Sequence, residues 1–193
     1  AAQAEWVQTA LGQASNSWQV LSDATVESQG KATLKRLDDG SFLASGPNPA
    51  QETYTVTFAA LPKNTTAIRL ETLSDPSLPS KGPGRSQNGN FVLNEVVATL
   101  KTGDRTDPVT FKKATADFTQ ETFSVNGTIS GKNENGWAIF PQAGKSHFAV
   151  FEFAQPVSLS DGAKLVVELR CRSQFSAHQP GRIRLSVTTS LNP

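Results

Sequence analysis

The chain of 193 residues holds one cysteine, one tyrosine, two histidines and no methionine. With Cys171 alone, neither an internal disulfide nor a cysteine-rich zinc site can form. A metal would depend on oxygen ligands or on His147 and His178. No apolar run approaches the roughly 18 to 20 residues needed to cross a bilayer, and Ala1 to Ala10 lacks a basic or apolar leader region. No membrane insertion is expected, and the chain is expected to be soluble. The 18 basic and 17 acidic residues nearly cancel. Without a broad positive field, nucleic acid is not an expected partner. A chain without methionine, initiator included, is expected to be a processed form or a piece of a longer protein. Motifs of the GxSxG and HExxH kinds are absent, and no paired carboxylates or nucleophile beside a base can be read. The chain is therefore not expected to be an enzyme.

What the sequence does contain is short alternating runs. In TYTVTF, Tyr54, Val56 and Phe58 share one face and Thr53, Thr55 and Thr57 the other, the period of two that marks a half-buried strand. RIRLSV repeats the pattern, with Ile183, Leu185 and Val187 inward and Arg182 and Arg184 outward. KLVVELRC aligns Leu165, Val167, Leu169 and Cys171, which makes Cys171 a core residue rather than a nucleophile. HFAVFEF is apolar on nearly both sides and reads as a central strand containing a satisfied, buried His147. Asp38-Asp39-Gly40 divides ATLKRL from SFLAS as a hairpin turn. Further strands are expected at 67–73, 91–100, 109–118 and 136–140, and a short helix over Glu5–Gln13. Fourteen glycines and eleven prolines punctuate the rest too often for long helices. The expected organisation is an N-terminal extension, 1–17, followed by one all-β domain, 18–193: an antiparallel β-sandwich, with a jelly roll favoured by strand number and connection length.

Two long loops stand out, Ser74 to Asn90 and about Thr119 to Gly136, and connections of such length are commonly functional. In the first, Arg85, Asn88 and Asn90 offer a guanidinium and two amides suited to vicinal hydroxyls, a carboxylate or a sulfate on a sugar. The alternative is a brace, with Arg85 paired to an acid such as Glu95 and the asparagines closing turns. Trp137 offers a face for a sugar ring or a large contribution to the core. His178 and Arg182 flank a Pro-Gly turn and either face a common groove or brace the sandwich end. Substituting Arg85 or Arg182 is expected to lower ligand retention rather than stability. Asp38, Asp39, Asp75, Asp104, Asp107 and Asp161 lie mostly in turns, where a structural calcium is the one cofactor left open.

Four blocks, LDDGSFLASGPNP, GPGRSQNGNFVLNEV, GWAIFPQAGKSHFAVFEF and HQPGRIRLSVTT, resemble the uncharacterised β-sandwich module of planctomycete secreted or envelope proteins that carry c-type haem domains. The stretch from Thr122 to Phe153 is similar to a segment of galactose-binding-like (discoidin) domains, in which an Ala-Ile-Asp-Gly turn precedes a tryptophan-bearing strand. Thr128-Ile129-Ser130-Gly131 stands at that turn, with Ser130 in place of the aspartate, and Trp137 at the tryptophan. No CxxCH motif occurs, so any haem lies outside this chain. The resemblance implies a galactose-binding-like fold in a larger exported protein, extracellular or in the periplasm and envelope. The expected function is non-catalytic carbohydrate binding, with a polysaccharide as partner. The alternative is a structural domain that docks against neighbouring domains of the parent protein.

Overall fold

A computed structural model describes residues 18–21, 23–132 and 135–193. The expected helix over Glu5–Gln13, and the whole 1–17 extension, lie outside these residues. The first six strands are β1 (Gln19–Val20), β2 (Thr25–Ser28), β3 (Thr33–Arg36), β4 (Phe42–Ser45), β5 (Glu52–Phe58) and β6 (Thr65–Thr72). After a 3-10 turn, Pro79–Lys81, come β7 (Val92–Leu93), β8 (Glu95–Thr102), β9 (Arg105–Val109) and β10 (Phe111–Ala116). A second such turn, Val125–Ile129, precedes β11 (Trp137–Ala138), β12 (His147–Val157), β13 (Lys164–Cys171) and β14 (Arg182–Thr188).

Every strand pairing is antiparallel. One sheet runs β10-β12-β6-β14-β4-β3 with β1 on β14, the other runs β2-β5-β13-β8-β9, and β7 with β11 forms a small ribbon. The all-β antiparallel sandwich expected from the alternation is the observed architecture. Register explains the core. Ala149, Leu70 and Leu185 form one inward row of the larger sheet and Phe151, Ile68 and Val187 the next. Tyr54, Leu169 and Val96 align in the facing sheet, as do Val56, Val167 and Ala98. All of these are buried, and burial of each large apolar side chain stabilises the fold by roughly 1.5–3 kcal/mol.

The departures from expectation have local causes. The strand expected over 91–100 is broken at Asn94, because Val92–Leu93 pairs with Trp137–Ala138 while Glu95 onward pairs with β13. Gly136 permits that ribbon, since a Cβ there would lie 1.8 Å from the Leu93 carbonyl oxygen. The expected 109–118 strand is divided as the chain leaves β9 in one sheet and enters β10 in the other. Pro108 is tolerated in β9 because β9 is an edge strand. At the start of β10 a register shift between Phe111 and Lys113 allows both Lys112 and Lys113 to reach Glu152, at 3.1 and 3.5 Å. Among the described residues, no helix is long and apolar enough to cross a membrane.

Candidate functional site

The segment GPGRSQNGN closes one end of the sandwich, where it binds other loops. The Gly84 backbone approaches Asn90 so closely that a Cβ would lie 1.9 Å from the Asn90 carbonyl oxygen. The Arg85 backbone N–H donates to Gln179 O at 2.8 Å, and Gly181 N donates to Pro83 O at 2.6 Å. The guanidinium of Arg85, a residue 8% exposed, donates through Nη1 to Pro47 O and through Nη2 to Gly46 O, each at 2.8 Å. It does not pair with Glu95. Its charge serves to hold one loop against another.

Asn90 is equally committed: its Oδ1 accepts from Ile139 N at 3.0 Å and its Nδ2 donates to Gln120 Oε1 at 3.2 Å. The two long loops noted in the sequence therefore meet through one buried amide. Asn88 is exposed, and its Oδ1 accepts from the Ser86 hydroxyl at 2.6 Å and from Asn90 N at 3.1 Å, closing a turn on itself. Trp137 has no exposed surface; its Nε1 donates to Phe118 O at 2.9 Å and its ring meets Phe91 edge-on at 4.9 Å. A ring enclosed on both faces has none left for a sugar. Its indole belongs to the core.

His178 is partly exposed, with Nδ1 2.9 Å from Ser176 O and its ring 5.6 Å from Phe175, which is 45% exposed. Arg182, which opens β14 on its outward face, makes no hydrogen bond to His178. There it bonds Ser41 Oγ at 2.9 Å, Asp39 Oδ2 at 2.8 Å and Asp75 Oδ2 at 3.2 Å. Burial raises the Asp39 and Asp75 carboxyls, but the hydroxyls and backbone N–H groups of Ser41 and Ser77, with the Arg182 charge, outweigh it and hold both below the usual carboxylate range. Of the aspartates that a calcium ion could use, two are thus tied to Arg182, and Asp107 pairs with Arg105 at 2.7 Å. Among the described residues, no three His, Cys, Asp or Glu side chains are grouped as a metal site. His147, buried, holds Asp117 Oδ2 at 3.0 Å through Nδ1 and lies 3.2 Å from Gln142 O through Nε2.

The open polar surface lies on the five-stranded sheet, beside the braced end. A hollow of about 410 Å³ is lined by Gln51, Asn94, Glu95, Gly127, Gly131, Lys132 and Arg172. A second, about 440 Å³, shares Gln51 and Arg172 and continues to Gln29, Gly30, Glu52 and Thr53. Together they form a groove across the ends of β8, β13, β5 and β2. Three strand spacings of about 4.8 Å make it roughly 14 Å across. Register explains the gathering: Arg170 lies opposite Thr53 on one side and Glu95 on the other, and Gln51, Asn94 and Arg172 flank that row.

Hydrogen bonds divide the groove into committed and open groups. Arg170 donates to Glu95 Oε2 at 2.7 Å and to Glu168 Oε2 through both Nε and Nη2. Glu52 accepts from Ser28 Oγ, Gly30 N and Thr53 N at 2.7 to 2.9 Å. By contrast, the side chains of Arg172 and Lys132 are exposed and have no partner among the described residues. Thr53 Oγ1, on a residue only 6% exposed, also lacks one. Alternation marks Thr53 and Arg172 as outward-facing, yet nothing local distinguishes them from other outward residues; strand register makes them neighbours. No family model, curated protein or solved structure matches this chain.

Proposed function

We propose that the chain is a non-catalytic carbohydrate-binding module of a larger exported protein, and that its site is the groove on the five-stranded sheet. The observation that carries this reading is the concentration of unspent polar groups there. The Arg172 guanidinium and the Lys132 ammonium line one concave surface. A guanidinium can donate in parallel to two vicinal oxygens. Arg172 directly follows β13, and Lys132 follows the Val125–Ile129 turn.

The connectivity supports a jelly roll of the galactose-binding-like kind. Strands β4, β5, β6 and β8 alternate between sheets; β14 then inserts between β4 and β6, and β13 between β5 and β8. The non-catalytic part of the reading is supported by the two groove carboxylates, Glu52 and Glu95, both engaged by protein donors.

In affinity gels containing neutral, uronate or sulfated polysaccharides, at least one polymer is expected to retard the chain. Arg172→Ala should weaken that retardation tenfold or more while the melting temperature moves by less than about 2 °C, as for a surface side chain without partners among the described residues. Free migration through every gel would overturn the reading. One feature favours the alternative of docking to neighbouring domains: Phe140 and Phe148 are 48% and 41% exposed, and both are anchored through their backbone N–H groups to segment 117–120. Under that reading the chain would instead bind its parent's flanking domains, and Phe148→Ser would weaken the association.

A further inference from the structure

We infer that the groove selects an acidic polysaccharide, one whose repeating unit carries a carboxylate or a sulfate ester; the inference rests on the glycan-binding reading above. A groove recognises by the hydrogen-bonding groups it still has to offer, and here those are mainly donors. Its carboxylates already take protein donors: Glu95 Oε2 accepts from Arg170, while both Glu52 oxygens take donors from Ser28, Gly30 and Thr53. The Asn94 Oδ1 accepts from Arg172 N at 2.8 Å, which leaves its Nδ2 as a donor. Arg172 and Lys132 line the same hollow, and neither has a carboxylate within salt-bridge distance among the described residues.

Two cations without a counter-charge among the described residues, beside an amide N–H, match a planar carboxylate or a sulfate. The guanidinium can grip two of its oxygens, and the ammonium contributes a point charge. A neutral sugar would satisfy the donors but leave both charges without a counter-charge. Selectivity should therefore fall as salt screens the exposed pair.

The test uses matched polymers with the full chain: polygalacturonate against its fully methyl-esterified form, and carrageenan against its desulfated form. Binding at least tenfold tighter to the acidic member of one pair is expected. That preference should shrink several-fold in Arg172→Gln and in Lys132→Gln and weaken between 50 and 500 mM NaCl, with unfolding curves superimposable on the parent's. Which pair discriminates identifies the carboxylate or the sulfate as the recognised group. Equal binding to both members, reduced alike by Arg172→Gln, would overturn the acidic preference and leave glycan binding intact. A preference insensitive to both variants would place recognition outside this groove. Failure to bind any of the four or the neutral panel would remove the glycan reading as well.

Discussion

Arg85 is legible in the sequence as a planar donor amid glycines, but its partners are not. Gly46 and Pro47 lie 39 and 38 positions away, and the groups they present are backbone carbonyls that every residue carries. Residue type alone therefore cannot distinguish a brace from a binding site. The geometry makes Arg85 a brace. Arg85→Ala removes two charge-assisted bonds from a side chain that is nearly enclosed and leaves two carbonyls short of a donor. It should cost about 2–4 kcal/mol, read as a lower urea midpoint with unchanged slope. Arg85→Lys should recover less than half, because an ammonium lacks the fork that spans two acceptors. Stability within about 0.5 kcal/mol of the parent would show that the loops hold without it. Asn90 follows the same logic through Gln120 and Ile139.

The outward face of β14 shows what an element adds. Alternation alone places Arg182 and Arg184 on one side of the strand, and register with β6 then sets Arg184 opposite Glu71. The resulting ladder runs from Asp75 through Arg182, Asp39 and Arg184 to Glu71 and Arg69. Arg184 titrates above its ordinary range chiefly because Glu71 bonds it.

Asp39 and Asp75 titrate below their ordinary range. A depressed folded-state pKa contributes stability that is present above the unfolded value, about 3.9, and is lost as pH falls through the lower folded values. Arg182→Ala should therefore destabilise by about 1–2 kcal/mol at pH 7, an intermediate between exposed and buried pairs. The gap between variant and parent should narrow as pH falls from about 5 toward 2. A gap constant over that range would mean that the carboxylates do not depend on Arg182. The β3–β4 hairpin supplies Asp39: Gly40 has φ +79°, and the Asp39 carboxylate accepts from Ser41 N and Oγ. A turn visible in the sequence thus also anchors the ladder.

At the scale of the molecule, two sheets enclose one core, and Cys171 reports on its integrity. The thiol is 3% exposed, and burial, then the nearby Glu52, pushes its pKa well above the usual thiol range. A thiol reagent at pH 8 should therefore label it only in proportion to the unfolded fraction, with a labelling profile in urea that overlays the loss of sheet signal. Rapid stoichiometric labelling of the native protein would show that the end of β13 opens locally.

The alternation of apolar and polar residues determined the strands, their inward faces and the core position of Cys171, because side-chain direction in an extended chain follows from local geometry. The breaks at Asn94 and Thr110 were hidden, since each occurs where the chain changes pairing partners. Whether a polar side chain is spent or free was decided by tertiary structure alone. Arg85, Asn90 and Trp137 look available in isolation and are consumed by the fold, while the Arg172 and Thr53 side chains look ordinary and remain unpaired among the described residues. The physical reason is that a hydrogen bond is a property of two groups, and here the second group is supplied by a strand or loop tens of residues away, as when Tyr54 Oη donates to Pro180 O.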